Sequence, residues 1–134
     1  MGARRDLEDN FDFEIVDEFL DHYAMMIDVM EPLIVDLGKD AAYTRSVEEL
    51  FRIFHNIKSA SNFLRLESMI RLATFVEDAL EEMRLNEGPA NEGLINWFLE
   101  ISDMFSQWQE DLKLDNALSK INFSLLKLPD LETA

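Results

Sequence analysis

The chain has 134 residues, 48% of them hydrophobic, and this length predicts a single domain built around one core. The net charge of −16 argues against a DNA- or RNA-binding protein, because phosphate backbones are bound by arrays of Lys and Arg. Without cysteine there are no disulfides, thiolate zinc sites or thiol nucleophiles, and no apolar run is long enough for a membrane span or a signal peptide, so we expect a cytoplasmic protein.

The first half of the chain has the periodicity of two amphipathic helices. Apolar residues recur at intervals of three and four over residues 11–37, where Pro32 is expected to kink or split the first helix. The second helix is predicted to begin at Ser46, because Ser46 and Glu49 have the spacing of a capping box. Its core-facing stripe consists of Val47, Leu50, Phe51, Phe54, Ile57, Ser61 and Leu64.

The second half predicts three more helices. One spans residues 67–85, Asn91 is expected to cap the next, and Asp115 is expected to cap a shorter one that ends before Pro129. Glycine and proline are few and no Asn-Gly or Asp-Gly turn is present, so strands are not expected. Short links between long helices predict an all-α fold, an up-down antiparallel four-helix bundle plus a fifth C-terminal helix.

These elements suggest three parts of unequal size. We expect residues 1–10 to be a flexible N-terminal segment, residues 11–128 to be the helical-bundle domain, and residues 129–134 to be a C-terminal tail. Charge is unevenly spread over the domain, because basic residues outnumber acidic ones within residues 45–71 although the whole chain is strongly acidic. The basic residues of this window are Arg45, Arg52, Lys58, Arg65 and Arg71.

One flank of the second helix carries groups suited to phosphoryl transfer. His55 lies about 120° from the centre of the apolar stripe and should therefore be exposed. Arg52, Lys58, Ser59 and Asn62 follow the same flank at helical spacing, with no carboxylate among them. A neutral imidazole offers a lone pair to phosphorus, and an ammonium one turn away offsets charge on the phosphoryl oxygens. From spacing alone, an ordinary exposed histidine remains the alternative.

Residues 51–66, FRIFHNIKSASNFLRL, resemble the H-x-x-K-small-small motif of histidine-containing phosphotransfer domains, in particular the N-terminal phosphotransfer domain of chemotaxis histidine kinases. The resemblance extends to FVEDALEEMRLNEGPANEGLINWFLEISD, which is similar to the third helix, loop and fourth helix of the family, and to FDFEIVDEFLDHYAMM, which is similar to the first helix. It covers roughly residues 11–128, including the five helices of the family.

The resemblance implies a role for three residues. His55 corresponds to the phospho-acceptor, Lys58 to the lysine of the motif, and Glu77 to a glutamate that holds the imidazole through a hydrogen bond. A carboxylate that accepts from Nδ1–H fixes the tautomer and leaves Nε2 free to attack. We expect Arg52, Ser59 and Asn62 to form a partner-binding surface around His55.

The chain also departs from the family pattern. Ser59 stands where relatives usually have glycine after the lysine, and Arg65 stands where many have glycine near the end of the helix. Thr74 occupies a position that is histidine in some chemotaxis relatives. These differences affect the expected geometry of partner docking more than the chemistry of His55.

Two rival functions are compatible with an acidic helical bundle. A di-iron helical bundle requires Glu-x-x-His pairs, which neither His22 nor His55 provides, so no metal site is predicted and His22 is expected to be a packed or surface residue. A helical adaptor that binds signalling partners without being phosphorylated is the stronger rival. Retention of His55, Lys58 and Glu77 argues against it.

The predicted function is therefore that of a phosphocarrier in two-component or chemotaxis signalling. His55 would accept a phosphoryl group from a histidine kinase catalytic domain or a receiver aspartate and pass it to the aspartate of a response-regulator receiver domain. No Walker-type nucleotide loop is present, so ATP and Mg²⁺ are expected on the partner domains, and no cofactor is expected on this one. The word enzyme fits such a domain loosely, whether it acts alone or within a kinase.

Overall fold

Five α-helices form the protein, seen here in a computed structural model that describes residues 2–131. They are α1 (Ala3–Asn10), α2 (Phe13–Asp36), α3 (Tyr43–Phe63), α4 (Glu67–Met83) and α5 (Glu92–Lys113), with 3-10 turns at Asp40–Ala42 and Phe123–Leu126. Apart from an isolated bridge at Ala90, the regular structure of the described range is helical, which confirms the predicted all-α class. Met1 and residues 132–134, the outermost parts of the two predicted terminal segments, lie outside it.

Helices α2 to α5 form the predicted bundle. The Tyr43 hydroxyl, at the start of α3, donates to the carbonyl of Met83 at the end of α4 over 2.9 Å. Near the other end of the pair, Ser61 of α3 contacts Met69 of α4. These two contacts show that α3 and α4 run antiparallel, while α2 packs against both α3 and α5.

The core of the bundle is rich in aromatic side chains. Phe54 of α3 meets Phe105 of α5 edge to face at 5.5 Å between ring centroids, and Trp108 packs against Phe105 at 5.0 Å. All three are fully buried, and a buried side chain of this size contributes about 1.5–3 kcal/mol of hydrophobic free energy. None of the helices described between residues 2 and 131 is long and apolar enough to cross a membrane.

Two helix starts test the sequence predictions directly. Asn91 caps α5 as predicted, because its side chain accepts from the Leu94 amide over 2.8 Å. The capping box predicted at Ser46 is wrong, since α3 begins at Tyr43 and Ser46 is buried within the helix. The buried Tyr43 ring and its hydroxyl contact extend α3 beyond the start that local sequence indicates. Pro32 lies inside α2, which continues through it as one helix.

The fifth helix lies at the opposite end of the chain from the prediction. Residues Ala3–Asn10, expected to be flexible, form α1 with Leu7 buried against the core. The predicted helix after Asp115 is wrong, because the chain beyond α5 holds the 3-10 turn Phe123–Leu126 and no α-helix within the described residues. Asp115 itself has a φ of 54°, a left-handed conformation that ends α5 rather than capping a new helix.

Indole groups hold this C-terminal segment to the bundle. Trp108 Nε1–H donates to the carbonyl of Ser119 over 2.8 Å, and Trp97 Nε1–H donates to the carbonyl of Leu125 over 2.9 Å. Carbonyls that a helix would use internally are thus taken by side chains of α5. The apolar spacing that predicted a helix here places Ile121 and Leu125 in the core instead.

Candidate functional site

His55 lies on α3 at the edge of the bundle. Its neighbours Phe54 and Ile57 face the core and are fully buried, whereas 53% of the His55 side chain is exposed. This exposure is what the helical spacing predicts. The imidazole is therefore accessible to a docking molecule while its base is anchored in a rigid helix.

Glu77 on α4 contacts the imidazole from the protein side. Its Oε1 lies 3.4 Å from His55 Nδ1, a long hydrogen bond, and only 13% of the Glu77 side chain is exposed. A carboxylate oxygen accepts, so in the neutral imidazole this contact favours the proton on Nδ1 and leaves the Nε2 lone pair free. Ala73 and Leu80, one turn to either side, are fully buried against the bundle and set the direction of Glu77.

Lys58 completes this cluster from one turn along α3. Its ammonium lies 3.0 Å from Glu77 Oε2 in an ion pair, with 31% of the lysine side chain exposed. Oε2 accepts no aligned hydrogen bond from the residues that the structure describes, so the Lys58 ammonium is its partner through charge. Glu77 thus links His55 and Lys58 through its two oxygens, and the three residues that the sequence singled out are brought together.

The sequence reasoning missed a contact between Phe51 and His55 and a second contact between Arg84 and Phe51. The Phe51 ring lies nearly parallel to the imidazole, at 9° between planes and 6.2 Å between centroids. The Arg84 guanidinium lies over the Phe51 ring, with Cζ 3.8 Å from its centroid. The spacing of four between Phe51 and His55 was a usable signal, but nothing in the sequence connects Arg84, which arrives from the far end of α4.

The predicted partner-binding residues are placed on the surface. Arg52, Ser59 and Asn62 are all exposed on α3, and Arg52 also lines a shallow groove against α2. No hydrogen bond or ion pair joins these three to His55 in the described chain. All three are exposed on the helix that carries His55, and their partner-binding role stays a prediction.

Thr74 and His22 lie apart from the His55–Glu77–Lys58 cluster. The Thr74 hydroxyl donates to the carbonyl of Ile70 over 2.7 Å, so it is satisfied within α4. His22 is exposed on α2, beside a groove that α2 and α3 form. Across residues 2–131 no three His, Asp or Glu side chains converge as a metal site requires.

The arrangement around His55 suits nucleophilic chemistry at one nitrogen. Glu77 contacts Nδ1, so Nε2 is the ring nitrogen left without this contact, and about half of the side chain is exposed to solvent. Lys58 supplies a positive charge one turn away, and Glu77 is positioned to stabilise the positive imidazole that forms as Nε2 bonds to an electrophile. A nucleophile that is half exposed on a helix surface is accessible to a large incoming reactant such as another protein domain.

The chain is similar to known proteins over most of its length. The family model described as Hpt domain matches residues 14–116. The chain is similar to the Chemotaxis protein CheA of Borreliella burgdorferi, with 25% identity over 114 residues, which is 85% of this chain and 13% of that protein. The chain thus spans about an eighth of the length of this curated relative. No solved structure matches the chain.

Proposed function

Because the chain belongs to the Hpt domain family, and so serves histidine phosphotransfer in two-component signalling, we propose that His55 is the residue that carries the phosphoryl group. The observation that carries the proposal is the cluster in which Glu77 holds Nδ1 of an exposed imidazole and pairs with Lys58. The chain has two histidines, and within residues 2–131 a carboxylate contacts a ring nitrogen of His55 and none contacts His22.

In the proposed step the Nε2 lone pair attacks phosphorus. The new N–P bond replaces the bond to ADP, if the donor is ATP on a kinase domain, or the bond to a carboxylate oxygen, if the donor is a receiver aspartyl phosphate. The Nδ1 proton stays on the ring, and Glu77 stabilises the positive charge that the imidazole acquires when Nε2 bonds to phosphorus. Lys58 then offsets the negative charge of the phosphoryl oxygens.

In the second step a receiver aspartate attacks the phosphorus of phospho-His55, and the imidazole leaves as the neutral form. Catalysis of both steps belongs mainly to the partner, which supplies Mg²⁺ and, for the kinase, ATP. The partners we propose are a histidine kinase catalytic domain and a response-regulator receiver domain. The similarity to a chemotaxis protein supports a role in a chemotaxis pathway. A cytoplasmic location is proposed because the kinase that donates the phosphoryl group needs ATP.

A labelling experiment tests the proposal. The protein is incubated with a histidine kinase and radiolabelled ATP, or with a phosphorylated receiver domain, and the label is examined for the acid-labile, base-stable behaviour of phosphohistidine. We expect His55→Gln to remove the label. The matched control is His22→Gln, because His22 is the other histidine and is also exposed on a bundle helix.

Two outcomes would contradict the proposal. Equal labelling of wild type and His55→Gln would show that another residue is the acceptor. A protein that binds a receiver domain in pull-down or calorimetry but never acquires label from active kinases would be the non-phosphorylated adaptor.

A further inference from the structure

The Phe51 ring and the Arg84 guanidinium form a layered arrangement beside His55, which we call the Phe51–Arg84 stack. The imidazole lies nearly parallel to Phe51, and Arg84 covers the Phe51 ring at 3.8 Å. Phe51 is half-buried and packs against the bundle core. Its side chain therefore contacts the core, the guanidinium and the imidazole together.

Arg84 is itself held from both helices. Its Nε and Nη2 donate to the two carboxylate oxygens of Glu48 on α3, each over 2.9 Å, and its Nη1 donates to Glu81 on α4, also over 2.9 Å. A guanidinium with this many charge-assisted bonds has a fixed plane. Phe51 is thereby confined between a rigid cation and the core.

An imidazole needs such a contact because one hydrogen bond does not fix its plane. The outer torsion of histidine is broad, and the long contact from Nδ1 to Glu77 restrains a single atom of the ring. A parallel aromatic neighbour restrains the tilt of the whole ring, since offset-stacked rings at this separation attract one another. Two restraints of different direction then determine where Nε2 points.

We propose that Phe51 and Arg84 are positioning residues for phosphoryl transfer, Phe51 by stacking on the imidazole of His55 and Arg84 by holding Phe51 in place. The inference rests on the proposed function of His55. In-line attack on phosphorus needs the Nε2 lone pair to be aligned with the bond that breaks, so a loosely held ring loses rate at saturating donor. The Phe51–Arg84 stack thus affects the alignment of Nε2 with the breaking bond and leaves the affinity for the phosphoryl donor unchanged.

The test uses Phe51→Leu, which keeps an apolar side chain but removes the ring, and Phe51→Tyr, which restores the ring. The matched control is Phe123→Leu, because Phe123 also lies under an arginine, Arg71, at 5.4 Å, is 67% exposed, and belongs to the C-terminal 3-10 turn rather than to α3 or α4. Initial rates of label transfer are measured against kinase concentration. Nitrogen-15 NMR of the His55 ring reports the fraction with the proton on Nδ1, and circular dichroism confirms folding.

For Phe51→Leu we expect the maximal rate to fall about three- to tenfold, the size expected from loss of one aromatic pair, with an unchanged half-saturating kinase concentration. The Nδ1–H fraction should fall too. Phe51→Tyr should stay within about twofold of wild type and Phe123→Leu should match it. Arg84→Met should also lower the maximal rate. If Arg84→Met fails to fold, the Phe51→Leu result alone decides whether the stack positions the imidazole.

Three results would overturn the inference. One is a Phe51→Leu protein that labels at the wild-type maximal rate, and another is a change confined to the half-saturating concentration, which would make Phe51 a docking contact. The third is a loss of rate in Phe51→Leu that Phe51→Tyr does not restore. If wild type and His55→Gln label alike, the proposed function has failed instead, so the two failures are distinct.

Discussion

Glu77 lies 22 residues after His55 in the chain, yet its Oε1 stands 3.4 Å from the imidazole Nδ1. The antiparallel packing of α3 and α4 produces this proximity, with fully buried Ala73 and Leu80 fixing the rotation of α4 about its axis. The carboxylate is largely withdrawn from solvent, so its interaction with the ring is weakly screened. Its second oxygen forms an ion pair with the Lys58 ammonium, so one carboxylate contacts both the imidazole and the lysine.

Replacing Glu77 by Gln should slow phosphorylation of His55 roughly 10- to 100-fold, the range typical for loss of a group that orients a functional histidine. The amide keeps the size of the side chain but removes the charge that stabilises the imidazolium. Initial labelling rates with a kinase and ATP measure the effect. Glu82→Gln, an exposed glutamate on the same helix, is the control, and equal rates for Glu77→Gln and wild type would refute the role.

Replacing Ser59 by Trp should block protein donors but spare chemical phosphorylation. Ser59 is exposed one turn beyond His55, so a large ring there would obstruct a docking protein and lower its transfer rate by about tenfold or more. Phosphoramidate, a small phosphoryl donor, should label the variant at the wild-type rate. Asn96→Trp on the exposed face of α5 serves as the control. Equal losses with both donors would mean that Ser59→Trp damages the site rather than docking.

Replacing Arg65 by Gly should stabilise the fold by about 0.5–1 kcal/mol. Arg65 has a φ of 60° at the end of α3, where the Leu66 amide bonds back to the Ser61 carbonyl over 2.9 Å. A non-glycine residue in this conformation costs about 1 kcal/mol or more, and the greater freedom of glycine in the unfolded chain cancels part of the gain. Urea denaturation measures the change. Arg65→Ala should gain nothing, and an Arg65→Gly protein less stable than Arg65→Ala would contradict the explanation.

Asp111 should make stability depend on acid pH. Burial raises its pKa, but hydrogen bonds from the Ser119 amide, the Ser119 hydroxyl and the Gln107 amide outweigh burial and leave the pKa below its ordinary value. A depressed pKa stabilises the fold above the unfolded-state value of about 3.9, and this contribution is lost as pH falls through the lower folded-state pKa.

Replacing Asp111 by Asn should therefore cost about 1–3 kcal/mol near neutral pH, and the cost should shrink below about pH 4. Urea denaturation of both proteins at about pH 7 and about pH 3 measures the difference. Asp103→Asn, an exposed aspartate of the same helix, should show neither effect. A cost that does not change with pH would mean that the carboxylate charge is not what Ser119 stabilises.

The helical class and the exposure of His55 were predictable because both depend on local periodicity. A repeat of 3.6 residues determines which side chains of α3 face the core, whatever the core contains. Arg65 was also identified from the sequence, since it stands where many relatives have glycine at the end of the helix. Its positive φ explains why glycine is preferred there. The cap at Asn91 followed from the same local rules.

Local rules failed where distant side chains competed for the same backbone. Ser46 had the sequence of a cap, but Tyr43 packs into the bundle and begins α3 earlier. Residues after Asp115 had helical spacing, but two of their carbonyls, those of Ser119 and Leu125, accept hydrogen bonds from the indoles of α5. In both places a tertiary contact outweighs a propensity worth only a few tenths of a kcal/mol per residue.

By itself the sequence determined that this protein is an all-helical bundle, that His55 faces solvent and that Lys58 lies one turn beyond it, since spacing along one helix is independent of its neighbours. Only the tertiary structure decided the distances from Glu77 to both residues and the placement of Arg84 over the Phe51 ring. Those contacts join α3 to α4, and the relative rotation of two helices depends on how the whole core packs.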